Sequence, residues 1–535
     1  MYGGRFGISL GRDQFDFFLD SDEKRTDDLY LGKRIRKPDT LKDVEWDELF
    51  VYIPKNYYSE IRSFLQSKGL RETEDYQVFG SELRIKENHA KQEYESYRKV
   101  LKDFGEKNAE RVLFWGRFWQ KREYIDWIKC FCRGNEEKYA LVSEAIWQSG
   151  DYAEAILGIS TIVAPSFSDE ESVIISERNI EGSSNIYSNS VIDNAERHLW
   201  GIHANVTEQE CFLTAEYLYR YITETIDALK PKVIFCFGSI SVGHEMLRRI
   251  CIQEMIPTLY SHQGLLPGTI SVDYGGEMGE SLPSLFSEHF CRLKIDPEKM
   301  EDAEKVLKYL YHSRSNRKVQ PQNDCIAEIK SRIDINKRTV FFAGQNDAHS
   351  HMVPYTEETR MYHSPIFQSS FKAAAFLAGL CDKNGWNFVY KPHPMYSHPE
   401  QAELLPDNTV FIEFGDINDI IDFCDVTVTI LSSSNYIALI RGKPVVMLGY
   451  NQVKGMGCCY EAYEKDLIEN TLREALANGF TKEQKRNFQK HIAQLLKYYL
   501  YDDLQPREIR YGKAVPDSFE GFYELKKCLE ESENA

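Results

Sequence analysis

Two tracts in the second half of the chain carry residues suited to holding an anionic group. The first, Trp386-Asn387-Phe388-Val389-Tyr390-Lys391-Pro392-His393-Pro394, is an apolar run that stops at a lysine, a histidine and two prolines. The second, Asp425-Val426-Thr427-Val428-Thr429-Ile430-Leu431-Ser432-Ser433-Ser434, is a β-branched run that ends in three hydroxyls. Serines in the first turn of a helix sit among backbone N–H groups without intrahelical partners, at the positive end of the helix dipole, so the position suits an anionic oxygen. In open parallel sheets, ligands bind beyond the carboxyl ends of strands, where His393 and the serines would lie. The chemistry expected of Lys391, His393, Ser432, Ser433 and Ser434 is therefore the binding of a phosphate group.

The elements that must position these residues read as alternating strands and helices. After the serines, residues 435–442 take a helical pattern closed by Gly442, and Lys443-Pro444-Val445-Val446-Met447-Leu448-Gly449 supplies the next strand. Residues 337–343 form an earlier strand; its Ala343-Gly344 end lets a backbone approach a ligand closely, and Gln345 offers both a donor and an acceptor. Upstream, residues 213–229 repeat apolar side chains at helical spacing, Lys230-Pro231 breaks them, and residues 233–238 form a buried type of strand. A helix over 245–250 and a strand over 258–260 follow. This is βαβ alternation, and it predicts parallel sheets.

The Tyr390–Pro394 tract, the serine run, and Ala438-Leu439 followed by Arg441-Gly442-Lys443-Pro444-Val445 and Gly449 resemble the bacterial capsular polysaccharide biosynthesis proteins. These are Kdo-transferase-like glycosyltransferases of GT-B architecture, related to bacterial sialyltransferases that share the His-Pro and Ser-Ser motifs. The resemblance covers roughly residues 210–470. It implies an α/β fold with two Rossmann-like parallel-sheet domains and a CMP-activated acidic sugar as donor. His393 and the serines would then hold the nucleotide phosphate, with Gly344 and Gln345 in the opening loop of the donor domain.

Residues 257–269, including His262-Gln263-Gly264, resemble the acceptor-domain loop that carries the family's catalytic group, and residues 273–281 fit the same pattern. The related enzymes commonly place an acid before this glycine, whereas this chain has His262 and Gln263. A neutral imidazole can take a proton from a sugar hydroxyl near neutral pH, so His262 is the candidate base, with Glu280 and Asp273 as the fallback candidates.

At 535 residues the chain exceeds one ordinary core, and 42% hydrophobic with 13% aromatic residues is ample for several. The expected division is 1–80 as a truncated Rossmann-like module and 81–325 as the acceptor-side domain with a helical linker. Residues 326–490 would be the nucleotide-sugar-binding domain and 491–535 the carboxy-terminal helices. In the first module, Tyr2-Gly3-Gly4-Arg5-Phe6-Gly7, a strand near 15–22 ending in acids, a strand at 48–54 and a helix at 59–69 resemble the small Rossmann-like domains attached to polysaccharide enzymes.

The net charge of −18 speaks against a nucleic-acid partner, whose affinity comes from neutralising phosphates with Lys and Arg. Twelve cysteines lack the paired spacing of a zinc site or a disulfide framework, and no Asp-x-Asp stands near the phosphate tract, so neither a metal nor another cofactor is expected. With no signal peptide and no bilayer-length apolar run, the expected location is the cytoplasm, compatible with peripheral attachment at the inner face of a membrane.

The reading is a metal-independent glycosyltransferase of surface-polysaccharide synthesis, taking Kdo or another acidic sugar from a CMP-linked donor to a glycan or glycolipid acceptor. Two alternatives stay open. A teichoic-acid type CDP-glycerol glycerophosphotransferase also uses a His-Pro histidine and needs a second histidine at the acceptor alcohol. An inactive scaffold of a capsule assembly complex would explain the missing acid before Gly264.

Overall fold

Successive residues of a strand point to opposite faces, so a sheet covered by helices on both sides must be apolar along the whole length of its strands. That is the pattern of Val112–Gly116, Val233–Phe237 and Thr339–Ala343 in the interiors of the two large sheets. In the computed structural model, the residues described are 87–116, 122–144, 154–165 except 156, 208–238, 242–316, 325–347, 350, 352, 355–393 and 399–533, together with five short strands before residue 80.

Those five strands are β1 (Phe18–Leu19), β2 (Leu29–Tyr30), β3 (Lys33–Arg36), β4 (Val51–Pro54) and β5 (Tyr76–Phe79). The first three form one sheet, with β1–β3 parallel and β2–β3 antiparallel, and β4–β5 is a separate parallel pair. Residues 2–7, the helix expected at 59–69 and the serine-rich stretch 183–190 lie outside the described residues.

The first large sheet is built from β6 (Val112–Gly116), β7 (Tyr139–Ser143), β8 (Ser160–Val163), β9 (Val233–Phe237), β10 (Thr258–Gln263), β11 (Thr269–Asp273) and β18 (Leu500–Asp502). Its order is β18-β11-β10-β9-β6-β7-β8. The pairs from β10 to β8 are parallel, and β10–β11 and β11–β18 are antiparallel. Leu113, Trp115, Ile234 and Cys236 face helices α1 (Glu87–Asn108), α3 (Glu208–Leu229) and α4 (Val242–Gln253), while Phe114 and Phe235 face α2 (Arg122–Cys132). The aromatic run near residue 115 is thus core, as its composition suggests.

The second sheet contains β12 (Thr339–Ala343), β13 (Asn387–Lys391), β14 (Thr409–Phe411), β15 (Val426–Thr429), β16 (Val445–Met447) and β17 (Tyr460–Glu461). All its pairs are parallel, in the order β14-β13-β12-β15-β16-β17. Numbered from β12, that is the doubly wound order 3-2-1-4-5-6, whose switch point lies between β12 and β15. Val340, Phe342 and Val428 pack on α7 (Ser370–Asn384) and α10 (Ile468–Asn478). Phe341, Val389 and Met447 pack on α6 (Cys325–Arg332), α8 (Ile417–Phe423), α9 (Ser434–Ile440) and α11 (Lys482–Gln494).

Two Rossmann-like domains joined in this way form the GT-B architecture. The chain passes from the first to the second through α5 (Pro297–Ser313), and it returns through α11. Gln494 on α11 donates to the carbonyls of Phe290 and Leu293 at 2.9 and 3.0 Å, tying the returning helix to the first domain. Residues 482–500 read as one helix in sequence. They are helical to Tyr499, as an α-helix to Gln494 and a π-helical turn over Leu495–Tyr499, and only Leu500 departs: Leu500–Asp502 adds strand β18 to the edge of the first sheet, paired with β11.

Candidate functional site

The crevice between β12 and β15 is bridged by one side chain. Gln345, 4% exposed, follows the end of β12, and its Oε1 accepts from the Leu431 N–H beyond β15 at 2.8 Å. Its Nε2 donates to Ser350 Oγ at 3.0 Å, so both ends of the amide are engaged. Gly344 donates its N–H to the Lys391 carbonyl at 2.9 Å. A Cβ at Gly344 would lie 3.1 Å from both that oxygen and Pro392 Cα, so a side chain there would press on the neighbouring strand end.

Beyond Leu431, Ser432 Oγ donates to Ser434 Oγ at 2.9 Å and accepts from the Ser434 N–H at 3.3 Å. Ser433 is the residue preceding α9, and its side chain makes no capping bond. The loop geometry thus depends on Gln345. Replacing Gln345 by Ala leaves the buried Leu431 N–H without its acceptor, which costs about 1–3 kcal/mol of stability. Urea denaturation of the variant measures that loss, and a midpoint unchanged from the natural protein would show that the bridge carries no weight.

Lys391 ends β13 and is 5% exposed. Its ammonium makes no hydrogen bond or ion pair among the described residues, and burial pulls its pKa down to about 8, with the Cys325 thiol and the Glu413 carboxylate acting weakly the other way. A buried lysine without an anion beside it is costly, and an incoming phosphate would relieve that cost. His393 follows two residues later and is half-buried. The structure therefore gathers Gly344, Gln345, Lys391, His393 and the serines at the carboxyl ends of three adjacent strands.

On the first domain, His262 lies on a strand rather than in a loop. It sits near the end of β10, opposite Ser271 of β11. Its Nδ1 is 2.9 Å from the Gln263 carbonyl, and its Nε2 is 3.4 Å from Oε2 of Glu277. A carbonyl can only accept, so Nδ1 carries a proton and the neutral ring presents a basic Nε2 to the carboxyl. The His262–Glu277 pair is therefore built to hold one further proton between Nε2 and Oε2.

Glu277, 4% exposed, was not singled out by its sequence position. The signal available was the Gly275-Gly276 pair before it, which lets the chain turn and bring the carboxylate back over β10. Gly238, at φ +76° beyond β9, belongs to the same corner: a Cβ there would lie 3.2 Å from Glu277 Oε1.

The other two candidates sit apart from His262 Nε2. Asp273 is 2% exposed, and its carboxylate accepts from the N–H groups of Gly275 at 2.7 Å and Leu282 at 3.0 Å. Burial pushes its pKa up to about 7 against these bonds and that of the Tyr499 hydroxyl. Glu280 faces the second domain, with Oε2 3.6 Å from Nε2 of the buried His363. Among the described residues there is no group of three or more His, Cys, Asp or Glu able to hold a metal ion, and no helix long and apolar enough to cross a membrane.

No protein-family profile and no curated protein matches the chain. Among solved structures it is similar to the KpsC β-Kdo 2,7 transferase of Thermosulfurimonas dismutans, at 19% identity over 52% of this chain and 80% of that one, with a TM-score of 0.33. The KpsC β-Kdo 2,4 transferase of the same organism matches at 16% identity over 50% of this chain and 80% of that one, with a TM-score of 0.36. The UDP-GlcNAc 2-epimerase of Methanocaldococcus jannaschii matches at 10% identity over 73% of this chain and 99% of that one, with a TM-score of 0.30. At these identities the likeness is one of fold, and the two-domain architecture stands on the strand orders themselves.

Proposed function

We propose that this protein is a glycosyltransferase that binds a nucleotide-activated sugar at the β12–β15 crevice and passes the sugar to an acceptor hydroxyl presented by the first domain. The observation that carries this reading is the buried ammonium of Lys391, without a hydrogen bond or ion pair among the described residues, beside Gly344 and the serine loop, with the His262–Glu277 pair on the opposing domain. One half suits a departing phosphate and the other suits proton removal.

In the reaction, the bond between the anomeric carbon and the phosphate oxygen breaks, and its electron pair stays on the phosphate. Lys391, His393 and the serine-loop donors stabilise that charge, an electrostatic contribution fixed before the reaction begins. The acceptor oxygen bonds to the anomeric carbon, and its proton passes to the His262–Glu277 pair, where the carboxylate stabilises the imidazolium. The donor we favour is a CMP-linked acidic sugar such as CMP-Kdo, used in surface-polysaccharide synthesis on the cytoplasmic side of a membrane. That preference comes from the motif resemblance around His393 and Ser432–Ser434.

Calorimetry with CMP, CDP and UDP tests the reading, on the natural protein and on His393→Ala. CMP preference lost in the variant is the expected result. A CDP preference would move the assignment to glycerophosphate transfer, for which His262 supplies the second histidine. UDP preference would overturn the donor, and no binding of any of the three would favour a scaffold.

A further inference from the structure

The segment 273–282, which carries Glu277, is anchored in both domains. At its root, Asp273 holds the N–H groups of Gly275 and Leu282. Its far side enters the second domain. Met278 takes a left-handed φ of +49°, and its side chain packs against the core formed by β12, β15 and α7. A positive φ is strained for a non-glycine residue, and such strain persists where surrounding contacts impose it.

Gly279 comes so close to the second domain that a Cβ would lie 1.5 Å from the Tyr362 carbonyl and 3.1 Å from that of Tyr450. Glu280 then meets His363. The His363 carbonyl in turn accepts from the Tyr450 N–H at 2.8 Å. Gly449 is wedged beside it, with its Cβ position 2.6 Å from the His363 carbonyl and 3.2 Å from that of Ile430. Ile430 precedes Leu431 and the serine loop. Packed backbone thus runs continuously from the phosphate-binding loop to the segment that carries Glu277.

We propose that Glu280 and His363 are positioning residues, which set Glu277 against His262 in response to what occupies the crevice of the second domain. This rests on the reading that the crevice takes a nucleotide. Glu280, a candidate base by sequence, acts in this account through Glu277 and not on the acceptor. The arrangement couples two sites through one over-determined segment, and such coupling is reciprocal in binding free energy.

The test uses the full-length protein carrying 13C-labelled histidine, with the His262 signal assigned by its loss in His262→Gln and CMP as the probe. The expected result is a CMP-induced shift of the His262 signal in the natural protein. In Glu280→Ala and His363→Ala that shift shrinks about threefold or more, although CMP affinity stays within about threefold. Glu280→Gln, which keeps the length of the side chain and a hydrogen-bonding group facing His363, is expected to restore most of the response. CMP binding without any His262 shift would overturn the coupling alone, as would an undiminished shift in both alanine variants. If CMP, CDP and UDP all fail to bind the natural protein, the nucleotide reading falls and the coupling falls with it. Because a variant can simply unfold, each is accepted only with a histidine spectrum that retains the signals of the natural protein other than those of His262 and His363.

Discussion

Glu277→Gln is expected to lower glycosyl transfer by about 10²–10⁴-fold, the span that general acid–base groups contribute, while CMP affinity changes by no more than about twofold. The argument starts from the Gln263 carbonyl, which commits the Nδ1 proton of His262 and leaves Nε2 as the basic nitrogen. A proton arriving there creates an imidazolium 3.4 Å from Glu277, and the buried carboxylate stabilises it on the side of the ring turned away from water. Glutamine fits the same space and keeps the backbone of the 273–282 segment. It can neither carry the compensating charge nor share the proton. Initial rates with CMP-Kdo and a glycan acceptor measure the effect. Transfer within about threefold of the natural rate would show that the proton goes elsewhere.

The elements around the proposed phosphate site were open to sequence reading because they are short-range. Strands β13 and β16 are largely apolar runs bounded by Pro or Gly, β15 is a β-branched run that leads into three serines, and each lies where that composition places it. Gly344 and Gln345 follow a buried strand end directly, so their place in the crevice follows from the strand alone. What escaped depends on contacts between distant segments. Ser261, His262 and Gln263 were placed in a loop by their resemblance to the family's acceptor-side segment, past a strand over 258–260. They are nevertheless strand, since β11 folds back on them and supplies the paired backbone.

Glu277 reaches His262 only because that hairpin and the Gly275-Gly276 turn return the chain, and no local pattern encodes the contact. Glu280 and His363 meet across two domains, a pairing that depends on how the domains dock. Strand β18 was hidden for a related reason: Leu500 ends the stretch read as helical, and only the free edge of β11 makes it the first residue of a strand.

Lys391→Met is expected to weaken nucleotide binding at pH 7 by about 10–100-fold, the worth of one charge-assisted hydrogen bond to phosphate, without destabilising the unliganded protein. The two effects separate because the unliganded fold pays for a buried charge that no ion pair among the described residues neutralises, and an apolar chain of similar length removes that cost. The pH dependence follows from the same burial. The lysine titrates near 8 in the folded protein against an ordinary 10.5. Between those values the unfolded chain holds a proton that the folded chain has released, so this group makes unliganded stability rise with pH across that window. A bound phosphate favours the ammonium and raises its folded pKa. Nucleotide binding should therefore take up a proton above pH 8, and affinity should decline as pH rises past that point. In Lys391→Met that decline disappears. Calorimetry in two buffers of different ionisation enthalpy at pH 8.5 reads the proton uptake directly. An unchanged uptake in the variant would assign the linkage to another group, and a variant that loses stability together with affinity would mark Lys391 as a structural residue.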